Sequence, residues 1–90
     1  MKEVSIRLNL PHGLHMRPAG IFVQEAAKFK SKITIFNGDM MADGKSIMGI
    51  LTLALGPGSI MRILAEGSDE EKAVEHLKKI VHEKLNEPAG

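Results

Sequence analysis

The chain has ninety residues, with twelve Lys/Arg against eleven Asp/Glu for a net charge of +1, and it has three Phe and no Tyr, Trp or Cys. That is the length of one small domain, 1–90, and the missing cysteines exclude disulfides, thiolate nucleophiles and thiolate zinc sites. Interspersed charges and few rings argue against nucleic-acid binding, which relies on basic stripes and stacking aromatics.

Val4, Ile6, Leu8 and Leu10 alternate with Glu3, Ser5, Arg7 and Asn9, a period of two that predicts a strand with one wet face. The same alternation leaves no continuous apolar signal-peptide core, and no window has the ~18–20 apolar residues of a membrane span, so the cytoplasm is the expected compartment. "PHG" at 11–13 breaks the strand. From Pro18 to Phe29 the apolar and polar residues separate at helical spacing, with Pro18 in the first turn and the helix starting near residue 16. "KITIFN" at 32–37 reads as a second strand, "NGD" as a hairpin turn and Met40 to Ala42 as a short return strand.

Ser46 is placed to N-cap a segment running through Leu53, and "GPG" at 56–58 ends it. "SIMRILA" at 59–65 is a fourth strand. "SDEE" at 68–71 reads as a capping box, with Ser68 and Glu71 as its reciprocal partners. Ala73, Val74, Leu77, Ile80, Val81 and Leu85 then recur at helical spacing, and 86–90 is expected to fray. The order β-α-β-β-α-β-α predicts an α+β fold. A four-stranded, antiparallel sheet is covered on one face by three helices, giving an open-faced two-layer β-sandwich.

The stretch "PHGLHMRPAG" carries the chemistry. A helix starting near residue 16 puts His15 at its N-terminus, where unpaired amides and the helix dipole favour an anion. Arg17 can fork onto phosphate oxygens, and a neutral imidazole is nucleophilic enough to take a phosphoryl group. On the residues alone two readings stay open. In one His15 accepts phosphate; in the other it is a helix cap beside a surface arginine.

"GLHMRPAG" at 13–20, "GKSIMGIL" at 44–51 and "AEGSDEEKAVEHL" at 65–77 together resemble the HPr family, the histidine-containing phosphocarriers of the sugar phosphotransferase system, essentially end to end. The resemblance implies that His15 is the phosphohistidine, modified on Nδ1, and that Arg17 steadies the phosphoryl group. It implies Enzyme I as donor and sugar-specific IIA components as acceptors. Ser46 matches the family's regulatory serine, the substrate of an HPr kinase/phosphorylase, with a transcriptional regulator as a further partner. A monomer with no cofactor is expected, a carrier and not an enzyme. Two positions depart from the family's usual pattern: Met16 stands where Ala, Ser or Thr is common, and His12 where Asn is common. His12 adds a possible modulator beside the active ring.

The segment after Ser46 is apolar over more of its circumference than a core-facing stripe needs. With Ile50, Leu53 and Ala54 toward the core, Ile47, Met48 and Leu51 face water. They form either a crowded core or, with Met16 and Gly20, a partner-docking patch. Gly49 is unusual inside a helix and would admit a close neighbour. No metal site is expected: His12 and His15 lack further ligands, and His76 and His82 read as a solvated helix face. Two rivals to a sugar-branch carrier are a nitrogen-branch or purely regulatory paralogue and a small-molecule-sensing α/β domain. Retention of both His15 and Ser46 disfavours paralogues that have lost the active histidine.

Overall fold

The computed structural model describes residues 1–86, so the expected frayed tail lies outside the described residues except for Asn86. The elements are β1 (Lys2–Arg7), α1 (Met16–Ala26), β2 (Lys32–Asn37), β3 (Met40–Asp43), α2 (Ile47–Leu51), β4 (Ile60–Glu66) and α3 (Glu70–Ile80), followed by a π-helical turn, Val81–Leu85. The strands form one antiparallel sheet in the order β1-β4-β2-β3. This is the predicted open-faced sandwich.

Strand alternation decides which face the helices cover. Ile6, Ile33, Ile35, Met61, Ile63 and Ala65 point to one side and are buried beneath Phe22 of α1, Ile50 of α2 and Val74 and Leu77 of α3. All six apolar positions predicted for the last helical segment are buried. The opposite sheet face is only partly wet. β1 offers it Glu3, Ser5 and Arg7, but the central strands add half-buried Phe36 and Leu64. Arg62 covers the Phe36 ring at 4.2 Å and pairs with Glu3 at 3.3 Å, a cation–π contact that screens this apolar surface.

Several predicted ends differ, each for a local reason. β1 stops at Arg7, although Leu8 still pairs with Ser59 and Gly58 at 2.9 Å. α1 ends at Ala26 and not Phe29, because the amides of Lys28 and Phe29 bond three residues back and tighten the chain into a turn. α2 ends at Leu51 and not Leu53. Ala54, expected in the core, is exposed at φ +50°, the left-handed conformation that stops the helix.

The capping box is also corrected. Asp69, not Ser68, is the N-cap of α3, and it makes no side-chain cap bond. Glu70, not Glu71, reaches back to an amide, that of Gly67, at 3.1 Å. The Asp69 carboxylate is occupied elsewhere. It accepts from the amides of Lys30 (2.9 Å) and Ser31 (3.0 Å) and from the Ser31 hydroxyl, tying α3 to the start of β2. Gly67 makes this approach possible, since a Cβ there would lie 2.6 Å from Ser31 Oγ.

These donors, the Ser31 hydroxyl first, lower the Asp69 pKa from 3.8 to about 2. A carboxyl whose folded pKa is depressed stabilises the fold above its unfolded pKa and loses that contribution as pH falls through the folded value. Asp69→Asn should therefore lower the thermal midpoint by roughly a few degrees at pH 7. The gap between parent and variant should close between pH 4 and 2. A gap that is constant over that range would mean the charge is not what holds the contact.

Asn86 is anchored, contrary to expectation. Its Oδ1 accepts from the Asn9 amide (2.8 Å) and its Nδ2 donates to the Arg7 carbonyl (3.0 Å), so it braces the chain leading into residues 10–15. His76 is not simply solvated either. It meets Glu25 Oε1 at 2.6 Å and packs against Phe29 with ring centroids 5.5 Å apart, joining α3 to α1. His82 is exposed.

Candidate functional site

The 10–15 loop is built from the inside outward. Leu10 and Leu14 are buried and anchor its two ends. Between them the Gly13 amide bonds to the Leu10 carbonyl at 3.0 Å, closing a turn with Pro11 at its second position, where proline's fixed φ is favoured. Gly13 has φ +70°, and a Cβ there would sit 2.5 Å from the Leu55 carbonyl oxygen, so only glycine lets the loop lie against residues 55–56. The Leu14 amide then bonds that same carbonyl at 2.8 Å. With its leucines pulled inward, the loop turns His12 and His15 out to solvent, ring centroids 6.1 Å apart and tilted by 58°.

His15 is the N-cap of α1 in extended backbone conformation, and its side chain makes no cap hydrogen bond. The first amide of this helix to find a carbonyl in the ladder is that of Ala19, bonded to His15 at 3.0 Å. The amides of Met16 and Arg17 therefore have no intrahelical partner, and Pro18 has no amide to offer. Arg17 is exposed and forms no salt bridge among the described residues. Among the described residues, an imidazole without a cap bond, two amides without an intrahelical partner and a guanidinium without a salt bridge thus share one helix end. Chemically this is a nucleophile beside an anion cradle.

α2 packs against α1, which brings the second group of predicted residues close to the first. Ser46 caps α2 as predicted, its Oγ accepting from the Gly49 amide at 3.0 Å. Gly49 matters for that bond: a Cβ there would crowd Ser46 at 3.2–3.3 Å, while meeting Ala42 in ordinary contact at 3.5 Å. Met16 and Gly20 lie one turn apart on α1, and a Cβ on Gly20 would meet Ile47 Cδ1 at 4.0 Å. Ile47 and Leu51 are half-buried against the core, while Met48 is 70% and Met16 61% exposed. Of the three residues expected to face water after Ser46, only Met48 does; Ile47 and Leu51 are partly drawn into the core because α2 lies against it, and Gly20–Ile47 is where α1 and α2 approach.

The family model described as the PTS HPr component phosphorylation site matches residues 2–83. The chain belongs to the HPr family. Its match to the Phosphocarrier protein HPr of Buchnera aphidicola subsp. Acyrthosiphon pisum is 46% identical and covers 92% of this chain and 98% of that protein. The HPr-like protein Crh of Halalkalibacterium halodurans is 44% identical over 86% of this chain and 92% of its own. Among solved structures, HPr-C-His from Thermoanaerobacter tengcongensis superposes with a TM-score of 0.91 at 42% identity, covering 99% of this chain and all of that one. The HPr family consists of phosphocarriers of the phosphotransferase system, which carry phosphate and do not catalyse a reaction of their own.

Within the HPr fold the structure brings His12, His15 and Arg17 together around one loop and helix end, and sets Ser46 at the start of the adjoining helix. Among the described residues no three His, Cys, Asp or Glu side chains form a group able to hold a metal ion, and no helix is long and apolar enough to cross a membrane. Sequence reasoning missed Asn86, which braces the strand end before the loop. Its signal was an amide side chain directly after the last buried leucine, Leu85.

Proposed function

We propose that this protein accepts a phosphoryl group on His15 from phosphorylated Enzyme I and passes it to sugar-specific IIA proteins. The observation that carries the reading is the exposed His15 ring at the start of α1, beside two amides without an intrahelical partner and an Arg17 that makes no salt bridge among the described residues. In the transfer step the Nδ1 lone pair attacks phosphorus. The new P–N bond forms as the bond to the donor breaks, and the donor atom keeps that electron pair. Arg17 and the amides of Met16 and Arg17 stabilise charge on the transferred oxygens. Their position at the surface leaves the group open to the next acceptor. Met16, Gly20, Ile47, Met48 and Leu51 form the surface on which successive partners dock.

Ser46 is the regulatory phosphorylation site, addressed by an ATP-dependent kinase. In this reading the protein works in the cytoplasm as a monomer, since the transfer step needs His15, Arg17 and the amides of one chain only. The similarity to an HPr-like protein Crh favours a second reading, a mainly regulatory role exercised through Ser46. The exposed His15 supports the carrier reading over it. Incubation with phosphoenolpyruvate and Enzyme I tests the choice: the carrier gains one phosphoryl group, while a protein that serves only through Ser46 gains none.

Arg17→Lys tests the cradle. One ammonium cannot reproduce the planar two-point contact of a guanidinium with phosphate oxygens, so transfer to His15 should slow about tenfold. The side chain is exposed, so the thermal midpoint should hold. Equal transfer rates for parent and variant would make Arg17 a bystander.

A further inference from the structure

His12 is the one residue at this site with no part in the transfer described above. It occupies the third position of the turn closed by the Gly13 amide on Leu10, immediately before the residues fixed by the Leu14–Leu55 bond. Both ends of that turn are held by buried leucines, so the backbone separation of His12 and His15 is set by the fold. The two rings neither stack nor bond directly: their centroids are 6.1 Å apart with a 58° tilt, and both residues are exposed. One tetrahedral group carried by His15 would span that separation, with an N–H···O contact of about 2.8 Å to the second ring.

Resting on the reading of His15 as phosphoryl acceptor, we propose that His12 is a second ligand of the phosphoryl group, donating a ring N–H to an oxygen of phosphohistidine 15. The other donors approach from the helix: the amides of Met16 and Arg17 and the Arg17 guanidinium. His12 approaches from the loop. It thereby closes the open flank of the group, holding the phosphorylated form longer and shifting the transfer equilibrium toward this carrier. Met16, exposed between the two donors in sequence, supplies no N–H or O–H from its side chain. The additional donor on this flank is therefore the imidazole of His12.

The phosphorylated forms of the parent, His12→Ala and His12→Asn are prepared chemically with phosphoramidate, and mass spectrometry identifies the fraction carrying phosphate on His15. This route bypasses Enzyme I. Failure of Enzyme I to label the parent would overturn the carrier reading while leaving the present test intact. Two quantities are read: the half-life of phosphohistidine 15 in buffer and its phosphorus-31 resonance. His12→Ala should shorten the half-life about tenfold, the scale of one lost hydrogen bond to a charged group, and move the resonance. His12→Asn keeps an N–H donor and should return most of both. Parent-like values for His12→Ala overturn the proposal. So does a short half-life in both variants accompanied by a lowered thermal midpoint, which would mean that His12 only packs the loop.

Discussion

His15→Ala should abolish phosphoryl acceptance and leave the fold intact. The first half follows from chemistry: the site has one ring beside the open amides and Arg17, and alanine offers no atom that can form a P–N bond. The second half follows from structure. His15 is exposed and its side chain makes no cap bond to α1, so its removal takes away no hydrogen bond that holds the helix. The stability change should stay within about 0.5 kcal/mol, as for other surface substitutions. The measurement is transfer from phosphoenolpyruvate through Enzyme I, followed by intact mass. The parent gains one phosphoryl group that is lost in acid and kept in alkali, the behaviour of a phosphoramidate. Acceptance by the alanine variant at the parent's rate would remove His15 from the mechanism. Label on His12 in that variant would move the acceptor three residues along the same loop.

The parts of this molecule that were legible in the sequence are those governed by neighbours. The Ser46 cap depends on an amide three residues away, and the turn before His15 depends on Pro11 and Gly13, so both follow from local backbone rules. Sheet and helix faces follow from periods of two and 3.6, which is why Ile33, Ile35, Leu77 and Ile80 fell where expected.

Helix ends aside, what failed was long-range. Ser68 had the right local pattern for a cap, but the residue at the start of α3 is Asp69, whose side chain is engaged by Lys30 and Ser31, 39 and 38 residues away. His76 read as solvated because its partner, Glu25, is 51 residues distant. Asn86 read as part of a frayed tail because the groups it bonds, on Arg7 and Asn9, lie at the other end of the chain. A polar side chain outside its own helix or turn finds its partner only through the tertiary fold. The proposed acceptor site stood out for the converse reason: among the described residues the His15 side chain makes no cap bond and Arg17 makes no salt bridge.

Ser46→Asp should slow phosphorylation of His15 at least about tenfold while leaving the thermal midpoint equal to the parent's or above it. Ser46 Oγ accepts from the Gly49 amide, and aspartate is as good a cap acceptor as serine, with a charge that suits a helix start. The fold therefore has no reason to weaken. Docking does. Ile47, Met48 and Leu51 follow directly, and a partner covering them must also desolvate the new carboxylate or hold it against its own charges. Lys45, the adjacent cation, donates to the Phe29 carbonyl at 2.7 Å, a contact it would have to give up to reach the new carboxylate. Phosphoserine should act in the same direction and more strongly, since it brings nearly two charges where aspartate brings one. Ser46→Ala separates cap from charge. It should accept phosphate at the parent's rate but lose about 1 kcal/mol with the cap, lowering the midpoint by roughly 4–8 °C. Rate and stability should thus rank the variants oppositely, with aspartate slow and stable and alanine fast and weakened. If aspartate loses its midpoint along with its rate, misfolding explains the inhibition and the docking surface does not; if it loses neither, Ser46 is a helix cap and nothing more.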